Sequence, residues 1–166
     1  MKPPTVSLDQ IKQTLSYCPD TGQFTWLVSR KGTKGKGSIA GSINNLGYVD
    51  IRVLGLRILG HRLAVWYSTG KLPSDQVDHK NGIRSDNRIA NLREASAAEN
   101  KQNVKAARRH NKIGLLGFSF SKPMKKFQAR IRVNNIVHRL GYFDSPEDAH
   151  QVYLAAKRNL HQFCTI

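Results

Sequence analysis

Residues 77–103 read VDHKNGIRSDNRIANLREASAAENKQN. Gln76 to His79 is a short extended segment, Lys80 to Ala90 is a polar loop rich in Asn, Asp and Arg, and Asn91 to Arg93 is a second extended piece. Ser96, with Glu99 three residues on, forms a capping box and marks a helix start. That helix is expected to run to about Arg109, growing more basic through Lys101, Lys105, Arg108, Arg109 and Lys112. A hairpin with a helix packed across it would bring Asp78, His79, Asn91 and Asn100 to one cleft. The two asparagines stand 12 and 21 residues beyond His79.

Those residue types suit one kind of chemistry. Hydrolysing a phosphodiester near neutral pH needs a general base for water and a hard divalent cation for the charge growing on phosphate. It also needs a group that holds the base in one tautomer. Histidine suits the first task, with an ordinary pKa of ~6.5. Carboxylate and amide oxygens suit the second, and an Asn side chain or a backbone carbonyl suits the third. Asn87, by contrast, reads as a maker of Asx-type turns in its own loop.

The same stretch, from Gln76 to about Lys105 and without a gap, resembles the HNH homing-endonuclease motif. This is the ββα-metal nuclease core, in its phage and intron-encoded branch. The resemblance implies that His79 is the general base, that Asp78 and Asn100 bind one Mg²⁺ or Mn²⁺ ion, and that Asn91 orients His79. The third letter of the motif is Asn here rather than His, and Asn103 is the alternative ligand if the helix register differs. Arg93, beside Asn91 on the second strand, is the loop's best candidate for a phosphate contact.

Downstream, Phe127, Ala129, Ile131 and Val133 alternate with Gln128, Arg130 and Arg132, the period-two signature of a strand with one buried face. Asn134-Asn135 suits a two-residue hairpin turn. Ile136 to Phe143 returns as a strand, and Ser145 caps a last helix with Pro146 at its first position. This βββα pattern is similar to the DNA-binding domain of plant ethylene-response factors (the Apetala-two type), through GFSF, KKFQARIRV and HRLGYFDSPEDAHQVYLAA. The resemblance implies a sheet lying in the DNA major groove. Gln128, Arg130, Arg132 and Arg139 are then the base-reading candidates, and Lys105, Arg108 and Arg109 phosphate contacts. Arg139 stands where that family usually has Trp.

Upstream, Ser7 and Gln10 form another capping box, with Leu8, Ile11 and Leu15 on one helix face. Phe24, Trp26 and Val28 alternate as a strand. Tyr48, Ile51 and Val53 on one side and Arg57 to Leu59 on the other flank a Leu54-Gly55 turn as a strand pair, and His61 to Ser68 is helical. Trp26, Trp66 and Tyr67 read as core and His61 as structural. Lys31, Lys34 and Lys36 sit in a glycine-rich loop.

The 166 residues carry 27 Lys+Arg against 11 Asp+Glu, a formal charge of +16. Residues 1–96 contribute +7 and residues 97–166 contribute +9, so a basic tail on a neutral globule is excluded. Such a surface suits a polyanion, nucleic acid first. No apolar run approaches the ~18 residues of a spanning helix. Nor does the N-terminus resemble a signal peptide, so an intracellular protein is expected. Two cysteines, Cys18 and Cys164, exclude a disulfide scaffold and a Cys-built structural zinc site.

The expected fold is α+β. It comprises a β-rich module over 1–70, a ββα-metal core over 71–107, a basic linker over 108–115 and a sheet-plus-helix domain over 116–162. The expected function is metal-dependent hydrolysis of double-stranded DNA, with no membrane or protein partner. The alternative is a non-catalytic, sequence-specific DNA-binding regulator with a vestigial core.

Overall fold

The computed structural model describes residues 6–29, 35–103, 111, 113–161 and 164. The fold is α+β and divides into two compact units, Met1–Ala95 and Ser96–Ile166.

In the first unit, helix α1 (Leu8–Thr14) opens on the Ser7–Gln10 capping box. It stops one residue earlier than the apolar spacing predicts. Leu15 takes extended backbone and begins strand β1 (Leu15–Cys18), which pairs antiparallel with β2 (Gln23–Trp26) across the Pro19–Gly22 turn. Leu15 is still fully buried, because the strand keeps it against the same core. Strands β3 (Ser42–Ile43), β4 (Val49–Val53) and β5 (Leu56–Leu59) form an antiparallel sheet. Leu54 and Gly55 both have positive φ in the β4–β5 turn, as a two-residue hairpin of this hand requires. Helix α2 (Gly60–Thr69) ends on Gly70 in the left-handed conformation. Strands β6 (Gln76–His79) and β7 (Leu92–Ala95) make a last hairpin, with a 3₁₀ turn at Ile89–Asn91 just before β7.

One apolar core joins these elements apart from β3, whose two residues are exposed. Ile11, Leu15, Phe24, Trp26, Ile51, Leu63 and Trp66 pack in the same cluster as Val77 and Leu92 of the β6–β7 hairpin. The compact unit accordingly extends through the β6–β7 hairpin to Ala95. The hairpin buries its apolar side chains against the N-terminal elements and shares their core.

The second unit begins with α3 (Ala97–Gln102), capped by Ser96 and Glu99 and closed by Asn103. The described helix is shorter than the sequence predicts. Lys105, Arg108 and Arg109 lie outside the described residues. Strands β8 (Phe118–Ser121), β9 (Lys126–Val133) and β10 (Ile136–Phe143) form an antiparallel sheet in the order β10-β9-β8, with α4 (Pro146–Leu160) packed on it. Ala129, Ile131 and Ala149 are buried between sheet and helix, while Arg130 and Arg132 are exposed. The βββα order and the positive φ of Asn134 and Asn135 agree with the sequence pattern.

Gly22 shows how tightly the first unit closes. Its φ is +73°, and an ideal Cβ there would lie 2.4 Å from the Arg88 nitrogen and 2.5 Å from the Asn87 carbonyl carbon. Both neighbours are backbone and cannot swing aside. Gly22→Ala is therefore expected to cost roughly 2–4 kcal/mol, from left-handed strain plus overpacking. Urea unfolding measures this, and a loss below about 0.5 kcal/mol would contradict the close packing of the Pro19–Gly22 turn on the loop before β7.

Candidate active site

The site is built on β6 and β7. Antiparallel register places Asp78 directly opposite Arg93 and His79 opposite Leu92. Val77, Asp78 and His79 are all buried, so both faces of β6 are covered. A buried carboxylate needs a compensating charge, and the cross-strand neighbour supplies it. Arg93 donates from Nε (3.0 Å) and from a terminal guanidinium nitrogen (2.7 Å), both to Asp78 Oδ2. Arg93, expected at a phosphate, thus makes its described contacts to Asp78.

The loop between the strands is held by its own polar side chains. Asn91 Oδ1 accepts from the Asn81 N–H (3.0 Å), and Asn91 Nδ2 donates to the Asp86 carbonyl (2.9 Å). Asn81 Nδ2 donates to the Asp86 carboxylate, and Arg88 clasps the same carboxylate through two nitrogens. The Arg88 bonds hold the Asp86 carboxyl at about 2, well below the usual range.

His79 is 4% exposed. Its Nε2 lies 3.3 Å from Asn87 Oδ1. An amide oxygen only accepts, so with this partner Nε2 carries the proton and the lone pair falls on Nδ1. Burial pushes the His79 pKa below the ordinary histidine value, against a smaller upward pull from the Asn87 bond. The ring is thus neutral at neutral pH, as a proton acceptor must be.

Asn87, read in the sequence as a turn-maker, is therefore the side chain that meets the His79 ring. Asn91, expected in that role, spends its amide on Asn81 and Asp86. The difference is one of reach. Asn91 closes the 3₁₀ turn, where the Asn81 N–H and the Asp86 carbonyl lie next to it, and Asn87 lies against Nε2.

Asn87 is 2% exposed and is fixed from three sides. The Tyr17 hydroxyl donates to its carbonyl (2.7 Å). Gly22 lies against its backbone, and an ideal Cβ on Gly60 would lie 2.7 Å from its Nδ2. Two other rings complete the surroundings of His79. The His61 ring meets it edge-on, with centroids 5.0 Å apart, and Tyr48 lies 5.9 Å away. His61 is 5% exposed, its buried Nδ1 has no hydrogen-bond partner, and desolvation followed by the neighbouring His79 pushes its pKa down to about 3. Its signal in the sequence was only a lone histidine at a helix start.

The first unit thus gathers Asp78, His79, Asn91 and Arg93. Asn100 is half-buried on α3 and belongs to the second unit. In that unit Arg130 pairs opposite Arg139, and Gln128 opposite Tyr142, whose hydroxyl accepts from Gln128 Nε2 (3.1 Å). Gln128, Arg130, Val137 and Arg139 line a shallow depression on the sheet. Arg132 is exposed further along β9.

Among the described residues, no three His, Cys, Asp or Glu side chains cluster to hold a metal ion. What the chain offers is the Asp78 carboxylate and asparagine amides. A sparse, all-oxygen donor set fits a hard cation such as Mg²⁺, which keeps several waters and shares the substrate's phosphate.

Residues 59–102 match the family model described as HNH endonuclease. The matched segment begins at the last residue of β5 and takes in His61, Asp78, His79, Asn87, Asn91 and Asn100. The match supports a nuclease, a hydrolase acting on DNA. No curated protein and no solved structure matches the chain. No described helix is long and apolar enough to cross a membrane.

His61 has a consequence for stability. Its folded pKa is depressed, so between about 3 and 6.5 the unfolded chain binds a proton that the folded chain refuses. Stability is then full above pH 6.5 and falls as the pH drops through that window, by about 1.4 kcal/mol per pH unit at most. His61→Phe keeps a ring against Tyr48 and His79 and removes this term. From pH 6.5 to 5 the wild type is expected to lose about 1.6 kcal/mol more than the variant. Parallel stability curves from urea melts would contradict a neutral, buried His61.

Proposed function

We propose that the chain is a divalent-metal-dependent DNA endonuclease of the HNH type, close to the phage homing enzymes. The observation that carries the reading is His79, buried beside Asp78 and bonded at Nε2 by Asn87, so that Nδ1 presents its lone pair. In this reading Nδ1 takes a proton from a water whose oxygen attacks the phosphorus, while the bond to the 3′ oxygen breaks. Asp78 would hold the cation; Asn100 as a second ligand, with Asn103 as its alternative, is what the resemblance to the HNH motif implies. The bound cation would supply neutralisation of the charge growing on the phosphate and the departing oxygen. Asn87 keeps the histidine in its tautomer, and Asn91 keeps the loop that carries Asn87.

Arg93 both compensates Asp78 and stands close to where a phosphate would lie. The C-terminal sheet supports a second role, the reading of duplex DNA. Gln128, Arg130, Arg132 and Arg139 would face base edges, as the resemblance to the ethylene-response-factor domain implies. Lys105, Arg108 and Arg109 would follow phosphates.

Plasmid incubated with the protein and Mg²⁺ or Mn²⁺ is expected to be cut, and chelation is expected to stop the cutting. His79→Ala should abolish cleavage and leave DNA affinity nearly intact, since the base acts only in the transition state. Cleavage within threefold of wild type would refute the assignment. A wild-type protein that binds DNA and never cuts under any divalent cation would favour the non-catalytic regulator.

Replacing Arg130, Arg132 and Arg139 together by Ala tests the sheet. Each bidentate base contact contributes roughly 1–3 kcal/mol of discrimination. Selection on a randomised-site library should therefore flatten at several positions while cleavage persists. An unchanged site preference would move recognition away from the sheet.

A further inference from the structure

Two turns beside His79 each end in an exposed aliphatic side chain. Leu46 is 66% exposed and Ile83 is 56% exposed. Turns of this kind ordinarily carry polar residues at their tips, and neither side chain serves the core. Leu46 lies between β3 and β4, in a turn held by its own asparagine. Asn44 Oδ1 accepts from the Leu46 and Tyr48 N–H groups (2.9 and 3.1 Å), and the Gly47 N–H donates to the Asn44 carbonyl (2.8 Å). Ile83 lies in the turn that leaves β6. There Gly82 N–H donates to the His79 carbonyl (2.9 Å), and Asn81 Oδ1 accepts from the Ile83 N–H (2.8 Å).

The two tips are tied to each other and to the site. Arg84, next to Ile83, donates to the Leu46 carbonyl (2.8 Å), and its guanidinium sits 5.1 Å over the Tyr48 ring. Tyr48 in turn lies against His61 and His79. The tips are thus rigid, apolar, joined by a cation and two residues or fewer from side chains that touch the His79 neighbourhood. Phosphate has no use for an aliphatic side chain. The space between two base pairs does, and apolar wedges inserted there unstack a step and kink the duplex. The +16 charge of the chain brings the duplex to the surface.

We propose that Leu46 and Ile83 form a wedge that enters a base step of double-stranded DNA beside the phosphate presented to His79. This rests on the nuclease reading. Because the tips are already fixed by backbone hydrogen bonds, little ordering entropy opposes insertion. Leu54 provides an internal control: it is 48% exposed in the turn at the opposite end of β4.

Insertion between base pairs unwinds DNA, so the test is topological. A plasmid is relaxed by a metal-independent topoisomerase in chelator, with the full-length protein bound, and the topoisomers are resolved after deproteinisation. Wild type is expected to shift the distribution toward negative supercoils. Leu46→Ala/Ile83→Ala should abolish the shift and lower Mg²⁺-dependent cleavage at least tenfold, with filter-binding affinity within about threefold of wild type. Leu46→Met/Ile83→Leu and Leu54→Ala should behave as wild type, which separates lost insertion from lost folding. Wild type that binds without shifting the distribution, or a double-Ala variant that shifts it equally, would overturn the wedge. A wild type that inserts but never cuts would overturn the nuclease reading and leave the wedge standing.

Discussion

Asn87 is the constraint on which the site depends. An amide side chain at 2% exposure is costly to bury unless its polar atoms are bonded and its surroundings fit. The N-terminal elements are shaped around it. The Tyr17 hydroxyl reaches its carbonyl from β1, the Pro19–Gly22 turn presses on its backbone where only a glycine leaves room, and Gly60 opens α2 where a side chain would strike Nδ2. With these contacts made, Asn87 Oδ1 lies 3.3 Å from His79 Nε2. His79 is thus oriented by contacts that reach Asn87 from the β-rich elements, with which the β6–β7 hairpin shares one core.

Charge balance sets the second condition. Asp78 is buried next to His79, and Arg93 compensates it from the facing strand. A buried pair of this kind adds little net stability, because both ions lose their water, but breaking it leaves an unpaired charge. Arg93 therefore holds the Asp78 carboxylate in place at the strand end. In the proposed reaction the same carboxylate would also serve a cation, and two positive groups on one carboxylate repel each other. A phosphate diester arriving with the cation offsets that repulsion, so cation and DNA are expected to bind more tightly together than either does alone.

Local features of the fold were legible in the sequence because short-range physics decides them. The capping boxes at Ser7 and Ser96, the Leu54-Gly55 turn, the Asn134-Asn135 turn and the alternation of β9 all depend on neighbours within a few residues. Leu15 was misplaced for a reason equally physical. Its apolar side chain fits the helix face and the strand face alike, and the pairing with Trp26 decides between them. The hairpin spacing put Asp78 and His79 on one strand and Arg93 on the next, but the facing of Asp78 by Arg93, a residue read as a phosphate contact, depends on the strand register. Asn87 did not. Its tripeptide Asp-Asn-Arg reads as a turn, and the groups that give it a different task, Tyr17, Gly22 and Gly60, are brought to it only by the tertiary fold. The orienting role of Asn91 is what the resemblance to the HNH motif implies, and its amide is bonded to the backbone of Asn81 and Asp86.

The sheet of the second unit presents a different balance. Arg130 and Arg139 stand directly opposite each other on neighbouring strands, with exposed Arg132 further along β9 and the Gln128–Tyr142 bond alongside. Like charges at facing positions destabilise a sheet pair by a few tenths of a kcal/mol to about 1 kcal/mol. A face needed only for solubility would do better with mixed signs. The arrangement costs the free protein something and returns it only when a polyanion lies across the strands, because a nearby phosphate or guanine edge turns the repulsion between guanidiniums into two attractive contacts. The depression lined by Gln128, Arg130, Val137 and Arg139 also places an apolar methyl pair and an amide among those cations. That mixture can distinguish base edges as well as hold phosphates. In the proposed reading, such a surface would suit reading DNA as well as attracting it.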